Sequence, residues 1–179
     1  MKYKHLYFLA LLSGFFTLSV FGGNAQANVK YDSVSKTVEI ADSSGLLLFS
    51  IDCSDGCRIR QINVNGKNVL SGTGVRTGIR TRGGNFTSEN LLSKIKVEKS
   101  PGKIILKDII YGDGALRVNE TWSFEVAGDK IVWNIDREYS TLAKLEEMSF
   151  PQWNFSSLSV WKGGILDNGG VIWCKYLSN

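Results

Sequence analysis

The acidic residues of the sequence have the clearest potential for chemistry. Hydrolysis of a glycosidic bond needs two carboxyl groups, one as acid and one as base or nucleophile. Candidates that fall close together are Glu120, Glu125, Asp136, Glu138, Glu146 and Glu147. Glu120 and Glu125 should point to opposite faces of a strand because an odd number of positions separates them, whereas Asp136 and Glu138 share a face opposite Arg137. That arrangement is equally typical of a solvated sheet surface, so the sequence favours surface carboxylates and predicts no catalytic residue.

The aromatic residues suggest a second kind of chemistry, because sugar rings stack on exposed aromatic faces through their C–H edges. The tryptophans in apolar predicted strands, which we expect in the core, are Trp122, Trp133 and Trp173. Trp153 and Trp161 flank the less regular segment 151–157, and with Tyr139 they are the candidate carbohydrate-binding residues. Aromatic rings are also the largest contributors to a hydrophobic core. Packing therefore remains the favoured interpretation even for these residues.

The cysteines offer thiol chemistry. In an oxidising compartment the spacing of Cys53-Ser-Asp-Gly-Cys57 is typical of a small local disulfide across a turn. Two free thiols near a strand end are an equally good interpretation, because pairing depends on geometry. Cys174 lies in an apolar stretch and is expected to be a small buried residue. A metal site would need more Cys or His ligands than the sequence has, so no metal or other cofactor is predicted.

The first 27 residues contain the three parts of a secretory signal peptide. A basic start with Lys2 and Lys4 precedes an apolar stretch at 6–20, and the segment ends in Ala25-Gln26-Ala27. A retained membrane anchor, the alternative, needs about 20 apolar residues and usually has no cleavage motif. Cleavage after Ala27 predicts an exported protein, periplasmic or extracellular, with no membrane span once the signal peptide is removed.

Removal of the signal peptide would change the available chemistry. His5 is the only histidine of the chain and lies within the signal. The mature protein would then have no imidazole for Ser/His/Asp or Cys/His catalysis or for a metal site. Loss of Lys2 and Lys4 also lowers the formal net charge from +4 to +2. Such a balance predicts no nucleic-acid partner.

Strands must position these residues, because the remaining sequence consists of short apolar or alternating runs between turn signals. Asn65-Gly66 provides the two positive-φ residues of a tight hairpin. Two long alternating segments, 116–126 and 131–135, should pair through the turn at 127–130, and cross-strand aromatic pairs would stabilise them. About a dozen short strands predict an all-β fold, an antiparallel β-sandwich, as a single domain over residues 28–179.

Three further segments complete the predicted elements. A last hairpin should join 158–166 to 171–177, with its turn at Asp167-Asn-Gly-Gly170. The segments 88–96 and 142–148 are the two candidates for short helices.

Two stretches resemble a known family. Residues 45–51 (Gly-Leu-Leu-Leu-Phe-Ser-Ile), followed by 58–70, resemble the opening strands of galactose-mutarotase-like sandwiches. The run Asn119-Glu-Thr-Trp-Ser-Phe-Glu-Val126, with 130–139, is similar to their central hairpin. The resemblance implies a supersandwich fold, as found at the N-terminus of many exported bacterial glycoside hydrolases ahead of an (α/α)6 catalytic barrel. Stand-alone mutarotases of this fold use histidines with a catalytic glutamate, so no family catalytic residue carries over.

The resemblance implies a function for the chain as part of a larger enzyme. We expect a non-catalytic N-terminal β-sandwich domain, a fragment of an exported glycoside hydrolase, whose partner is the missing catalytic barrel or carbohydrate itself. An apolar predicted strand at the end of the sequence, 171–177, favours this hypothesis. A free-standing periplasmic glycan-binding module is the alternative, and an enzyme acting through Asp136 and Glu138 is a third hypothesis.

Overall fold

The computed structural model describes residues 28–156, which form twelve β-strands in three antiparallel sheets and contain no helix. In chain order the strands are β1 (Asn28–Asp32), β2 (Thr37–Ala41), β3 (Leu47–Asp52), β4 (Arg58–Val64), β5 (Lys67–Asn68), β6 (Arg76–Thr81), β7 (Gly84–Thr87), β8 (Lys96–Ser100), β9 (Lys103–Gly112), β10 (Arg117–Ala127), β11 (Lys130–Tyr139) and β12 (Glu147–Gln152). The predicted all-β fold with about a dozen strands is therefore confirmed. Several predicted features lie outside the described residues: the predicted signal peptide, the predicted hairpin from 158–166 to 171–177, Trp161, Trp173 and Cys174.

The first sheet is an antiparallel meander in the order β1-β2-β3-β4-β5, in which each strand pairs with its neighbour in sequence. Asn65 and Gly66 connect β4 to β5 with φ angles of 52° and 76°. Two consecutive positive φ angles are what a two-residue hairpin of this type needs. The turn predicted from Asn-Gly is therefore confirmed.

The second sheet is also a meander, in the order β11-β10-β9-β8, and β11 forms one edge. Along β10 the buried positions alternate with more exposed ones, and Val118, Glu120, Trp122 and Phe124 all lie on the buried face. β11 follows the same period of two, with less complete burial because it is an edge strand. The long hairpin predicted at the centre of the sequence is thus confirmed.

The third sheet has the order β12-β6-β7, so the last described strand pairs with a strand from the middle of the chain. The two short helices considered at 88–96 and 142–148 are wrong. The first segment is a turn that leads into β8, and Ser88 is anchored there by a hydrogen bond from its Oγ to the Cys57 carbonyl oxygen. The second is a loop that leads into β12, where Glu147 lies opposite Arg80 of β6. Tertiary pairing outweighs weak local helix propensity in both segments.

The three sheets share one core in a sandwich-like arrangement. Phe49 of β3 meets Phe124 of β10 edge-on, with ring centroids 6.4 Å apart, so the inward faces of the first two sheets are in contact. The third sheet joins the first through a bridge between Ile59 and Val75. Gly74, with φ 78°, permits this approach, because a Cβ there would lie 2.1 Å from the Ile59 carbonyl oxygen.

Candidate functional site

An open cleft of about 440 Å³ lies where the edge strand β11 runs beside β12. We call it the aromatic cleft, and its lining residues are Phe49, Ile131, Trp133, Asn134, Ile135, Phe150, Pro151 and Trp153. None of these side chains is charged. A mostly apolar concave surface with a few polar groups is the usual character of a small-ligand site.

The rings of the cleft are continuous with the rings of the core. Trp153 stacks on Phe155, with centroids 5.6 Å apart and planes 11° apart, and meets Trp133 edge-on at 6.1 Å. Trp133 in turn stacks on Phe124 at 5.4 Å. The buried Nε1 of Trp133 has no hydrogen-bond partner among residues 28–156. The cleft therefore has a rigid aromatic base that the core supports.

Trp153, a candidate carbohydrate-binding residue from the sequence, is half-buried and lines this cleft while it also packs against the core. Trp133, expected in the core, is only partly buried and lines the cleft. Phe150, which is 46% exposed, was not considered. In β12, Met148, Phe150 and Gln152 are exposed and alternate with the less exposed Ser149 and Pro151, and the predicted helix at 142–148 ended before Phe150.

Tyr139, the other described candidate, lies outside the cleft lining. Its side chain is 40% exposed, and its hydroxyl donates to Sδ of Met148 at 3.4 Å. The same hydroxyl accepts a long hydrogen bond from Nη1 of Arg137 at 3.5 Å. The structure therefore does not bring Tyr139 and Trp153 together in one aromatic surface.

Directly beneath β11, the fold buries a carboxylate. Glu120 of β10 is fully buried and accepts four side-chain hydrogen bonds. The donors are Thr77 Oγ1 at 2.6 Å, Tyr111 Oη at 2.8 Å, Trp122 Nε1 at 2.8 Å and Arg137 Nε at 2.5 Å. We call these five residues the Glu120 cluster. A buried ion is tolerated in a protein when it is paired and hydrogen-bonded in this way.

Electrostatics within the cluster keep the surrounding groups in fixed protonation states. Burial, followed by the nearby Glu120 carboxylate, raises the pKa of Tyr111 far above its usual value. Burial by itself would lower the pKa of Arg137, but Glu120 and Tyr111 outweigh it and the pKa is raised. Tyr111 therefore remains a neutral donor and Arg137 a cation at every pH near neutrality.

The other candidate carboxylates lie on a different side of the sheet from Glu120. In the β10–β11 register Glu120 is opposite Arg137, Thr121 opposite Asp136 and Asn119 opposite Glu138. Asp136 and Glu138 are exposed, and so is Glu125. The predicted division of faces is confirmed. The structure separates Glu120 from the exposed acids, so it assembles no pair of carboxyl groups around a common substrate position from these strands.

The remaining acidic candidates, Glu146 and Glu147, form ion pairs with Arg80. The distances are 3.9 Å from Arg80 Nε to Glu146 and 3.2 Å from Nη2 to Glu147, and all three side chains are largely exposed. Exposed pairs of this kind contribute little to stability. They join β6 to β12 and to the loop that precedes β12.

Cys53 and Cys57 are both buried and are present as free thiols. Burial, followed by a hydrogen bond with Cys53, raises the pKa of the Cys57 thiol well above its usual value. A thiol in this state is a poor nucleophile. The local disulfide between the two residues stays a prediction.

The positions of the possible metal ligands bear on whether a metal ion could bind. Among residues 28–156, no three His, Cys, Asp or Glu side chains are grouped closely enough to hold a metal ion. The same part of the chain contains no helix with the length and hydropathy needed to cross a membrane.

No protein-family model, curated protein or solved structure matches this chain. The resemblance to galactose-mutarotase-like sandwiches therefore stays a prediction.

Proposed function

We propose that this chain is a non-catalytic β-sandwich domain of an exported glycoside hydrolase and that the aromatic cleft binds a neutral glycan. The uncharged aromatic lining of the cleft is the observation that carries the proposal. A pyranose ring offers an apolar C–H face to an indole or phenyl ring while its hydroxyl groups remain in water. Trp153 and Phe150 supply such rings at the rim of the cleft.

The position of the carboxylates supports a role in binding rather than in hydrolysis. Glu120, the carboxylate with the most unusual environment, has no exposed surface, and four donors occupy it. A general acid must lie within hydrogen-bond reach of the bond that it protonates. Glu120 could do so only if the Glu120 cluster opened.

Titration of the full chain with neutral oligosaccharides tests the proposal. Tryptophan fluorescence and calorimetry with gluco-, xylo- and manno-oligosaccharides should show saturable binding to at least one of them. Trp153→Ala should weaken that binding at least tenfold, or about 1.4 kcal/mol. Tyr31→Ala is the matched control, because Tyr31 is also partly buried but lines a separate polar cleft. A flat response across the panel, or equal losses in the two variants, would contradict glycan binding at the aromatic cleft.

A comparison of neutral with acidic sugars gives a second arm of the same test. Because no side chain of the lining is charged, a uronic-acid polymer has no cation to bind there. Neutral sugars should therefore bind at least as well as their acidic counterparts. A clear preference for the acidic sugars would overturn the neutral-glycan part of the proposal.

Exposed apolar residues in β12 and in the loop that precedes it favour attachment to a larger enzyme over the alternative, a free-standing periplasmic glycan-binding module. Met148 and Leu142 are 55% and 101% exposed, and exposed apolar surface often marks an interaction site. Sequencing the gene through the codon of Asn179 distinguishes the two. A downstream frame that encodes a helical barrel supports the enzyme domain, and an immediate stop codon supports the free-standing module.

A further inference from the structure

Arg137 contacts four different groups, the Tyr139 hydroxyl among them, although its side chain is only 4% exposed. Its Nε donates to Glu120, its Nη2 donates to the Ser149 carbonyl oxygen at 3.1 Å, and its Cζ lies 4.5 Å from the centroid of the Phe150 ring. The guanidinium group is planar and its donors have fixed directions. Its orientation toward Glu120 therefore also determines how it meets Ser149 and Phe150.

Glu120 is held in place independently of Arg137. Its other three donors belong to three strands, Thr77 on β6, Tyr111 on β9 and Trp122 on β10. These contacts hold the carboxylate at the point where the second and third sheets meet. An unpaired guanidinium would be costly to bury in the same place. Glu120 thus provides both the charge and the fixed position that Arg137 needs.

Phe150 lies where the ladder between β12 and β6 is interrupted. β12 pairs regularly with β6 at Met148 and Ser149, and the pairing is then interrupted until Gln152. Pro151 has no N–H to donate to the ladder. The Phe150 ring is 46% exposed and lines the aromatic cleft. The bond to Ser149 and the cation–π contact with Phe150 therefore replace part of the missing ladder at this point.

We propose that Glu120 and Arg137 are positioning residues for the aromatic cleft: the buried pair holds β12 at Ser149 and Phe150, and so sets the position of the Phe150 wall against which a neutral glycan binds. The effect on binding rests on the function proposed above. The effect on the position of β12 does not, and it can be measured without any ligand.

Met148 is a natural reporter for β12. The sequence contains two methionines, Met1 in the predicted signal peptide and Met148 next to Ser149. In protein labelled with ¹³C at the methionine methyl group and carrying Tyr139→Phe, which removes the hydroxyl that joins Arg137 to the Met148 sulfur, Arg137→Lys should shift the Met148 resonance, because lysine keeps the charge but not the planar fork. Glu120→Gln should shift it in the same direction. Glu125→Gln is the matched control, since Glu125 also lies on β10 but forms an exposed pair with Lys103, and it should leave the resonance unchanged.

A double-mutant cycle with Phe150→Leu separates positioning from a general loss of stability. If Arg137 acts through the Phe150 ring, Arg137→Lys should weaken glycan binding about fivefold or more in the wild type and have almost no effect in the Phe150→Leu background. Equal losses in both backgrounds would show that the pair merely stabilises the fold. Both variants keep a residue of similar volume, and thermal unfolding verifies that they are folded.

The two proposals fail in different ways. If no glycan binds the wild type but Arg137→Lys still shifts the Met148 resonance, the glycan function is wrong and the positioning of β12 stands. If the Met148 resonance does not respond to Arg137→Lys, the positioning proposal is wrong whatever the chain binds.

Discussion

The Glu120 cluster and the aromatic cleft are neighbours. The buried cluster contains charged groups that are usually found at the surface, and the exposed cleft contains aromatic rings that are usually found in the core. The cluster lies inside the protein and holds an ion pair whose two side chains are 0% and 4% exposed. The cleft lies at the surface and presents aromatic rings, with Phe150 46% exposed. Proteins normally keep charges in water and place large rings in the core. Arg137 contacts both regions, so the two exceptions belong to one arrangement.

The comparison teaches that the two exceptions have different causes. The buried ions have a structural explanation, because one arrangement of strands from two sheets satisfies the carboxylate with four donors. A buried ion pair is weak evidence for stability, but a wrong arrangement of the strands would leave a charge unpaired. Within the described residues the exposed rings of the cleft have no such explanation. For this reason we propose a ligand for the cleft and a positioning role for the carboxylate.

The largest expected effect comes from removing one member of the buried pair. Arg137→Leu should lower the free energy of unfolding by about 3–5 kcal/mol, because it leaves the Glu120 charge buried without its cation. Urea unfolding measures the change. Asp136→Asn on the exposed face of the same strand is the control and should change stability by no more than about 0.5 kcal/mol. Equal small effects in the two variants would mean that water reaches Glu120.

The same substitution at two tryptophans should give an intermediate effect. Trp122→Phe removes the Nε1 donor to Glu120 and part of a fully buried ring, so it should cost about 2–4 kcal/mol. Trp153→Phe, in the cleft, keeps a ring that can still stack on Phe155 and should cost about 1 kcal/mol or less. Chemical unfolding of both variants provides the measurement. A reversed order would show that the cleft, and not the cluster, is the more important for stability.

The smallest effect is a change in how steeply the free energy of unfolding depends on pH. The folded state keeps Tyr111 protonated because its pKa is raised above the ordinary 10.0, whereas the unfolded state ionises it near that value. Its contribution to stability is therefore complete below pH 10 and is lost as the pH rises further, at about 1.4 kcal/mol per pH unit. Urea unfolding between pH 8 and 11 should show a shallower loss for Tyr111→Phe above pH 10. Below pH 9 the two slopes should agree, and identical slopes throughout would contradict a neutral, buried Tyr111.

Much of the fold could be predicted because it depends on local patterns. The Asn65-Gly66 turn and the alternation along β10 and β11 each concern residues that are neighbours in sequence or across one hairpin. The Glu120–Arg137 pair could also have been predicted from the sequence. The turn at 127–130 fixes the register, and in that register Glu120 lies opposite Arg137 with both on the inward face.

Other features were wrong or missed because they depend on distant segments. β12 pairs with β6, which lies about 70 residues earlier in the chain, and no turn or period in the segment 142–152 indicates that partner. Without β12 there is no second wall for the cleft, so Phe150 and Trp133 could not be recognised as lining residues. Trp153 became a candidate only because it lies outside an obvious strand.

The sequence by itself determined most of the strands and hairpins, β12 excepted, and the face of each predicted strand on which a side chain lies, because these follow from turn chemistry and a period of two. Tertiary structure alone decided which sheet edges meet, and with them the four donors around Glu120 and the walls of the aromatic cleft. The physical reason is that burial and hydrogen-bond satisfaction depend on all the neighbours of a residue in space. The position of Glu120 in its own strand shows only that it faces inward. Its carboxylate is stable there because Thr77 and Arg137, on two other strands, donate hydrogen bonds to it.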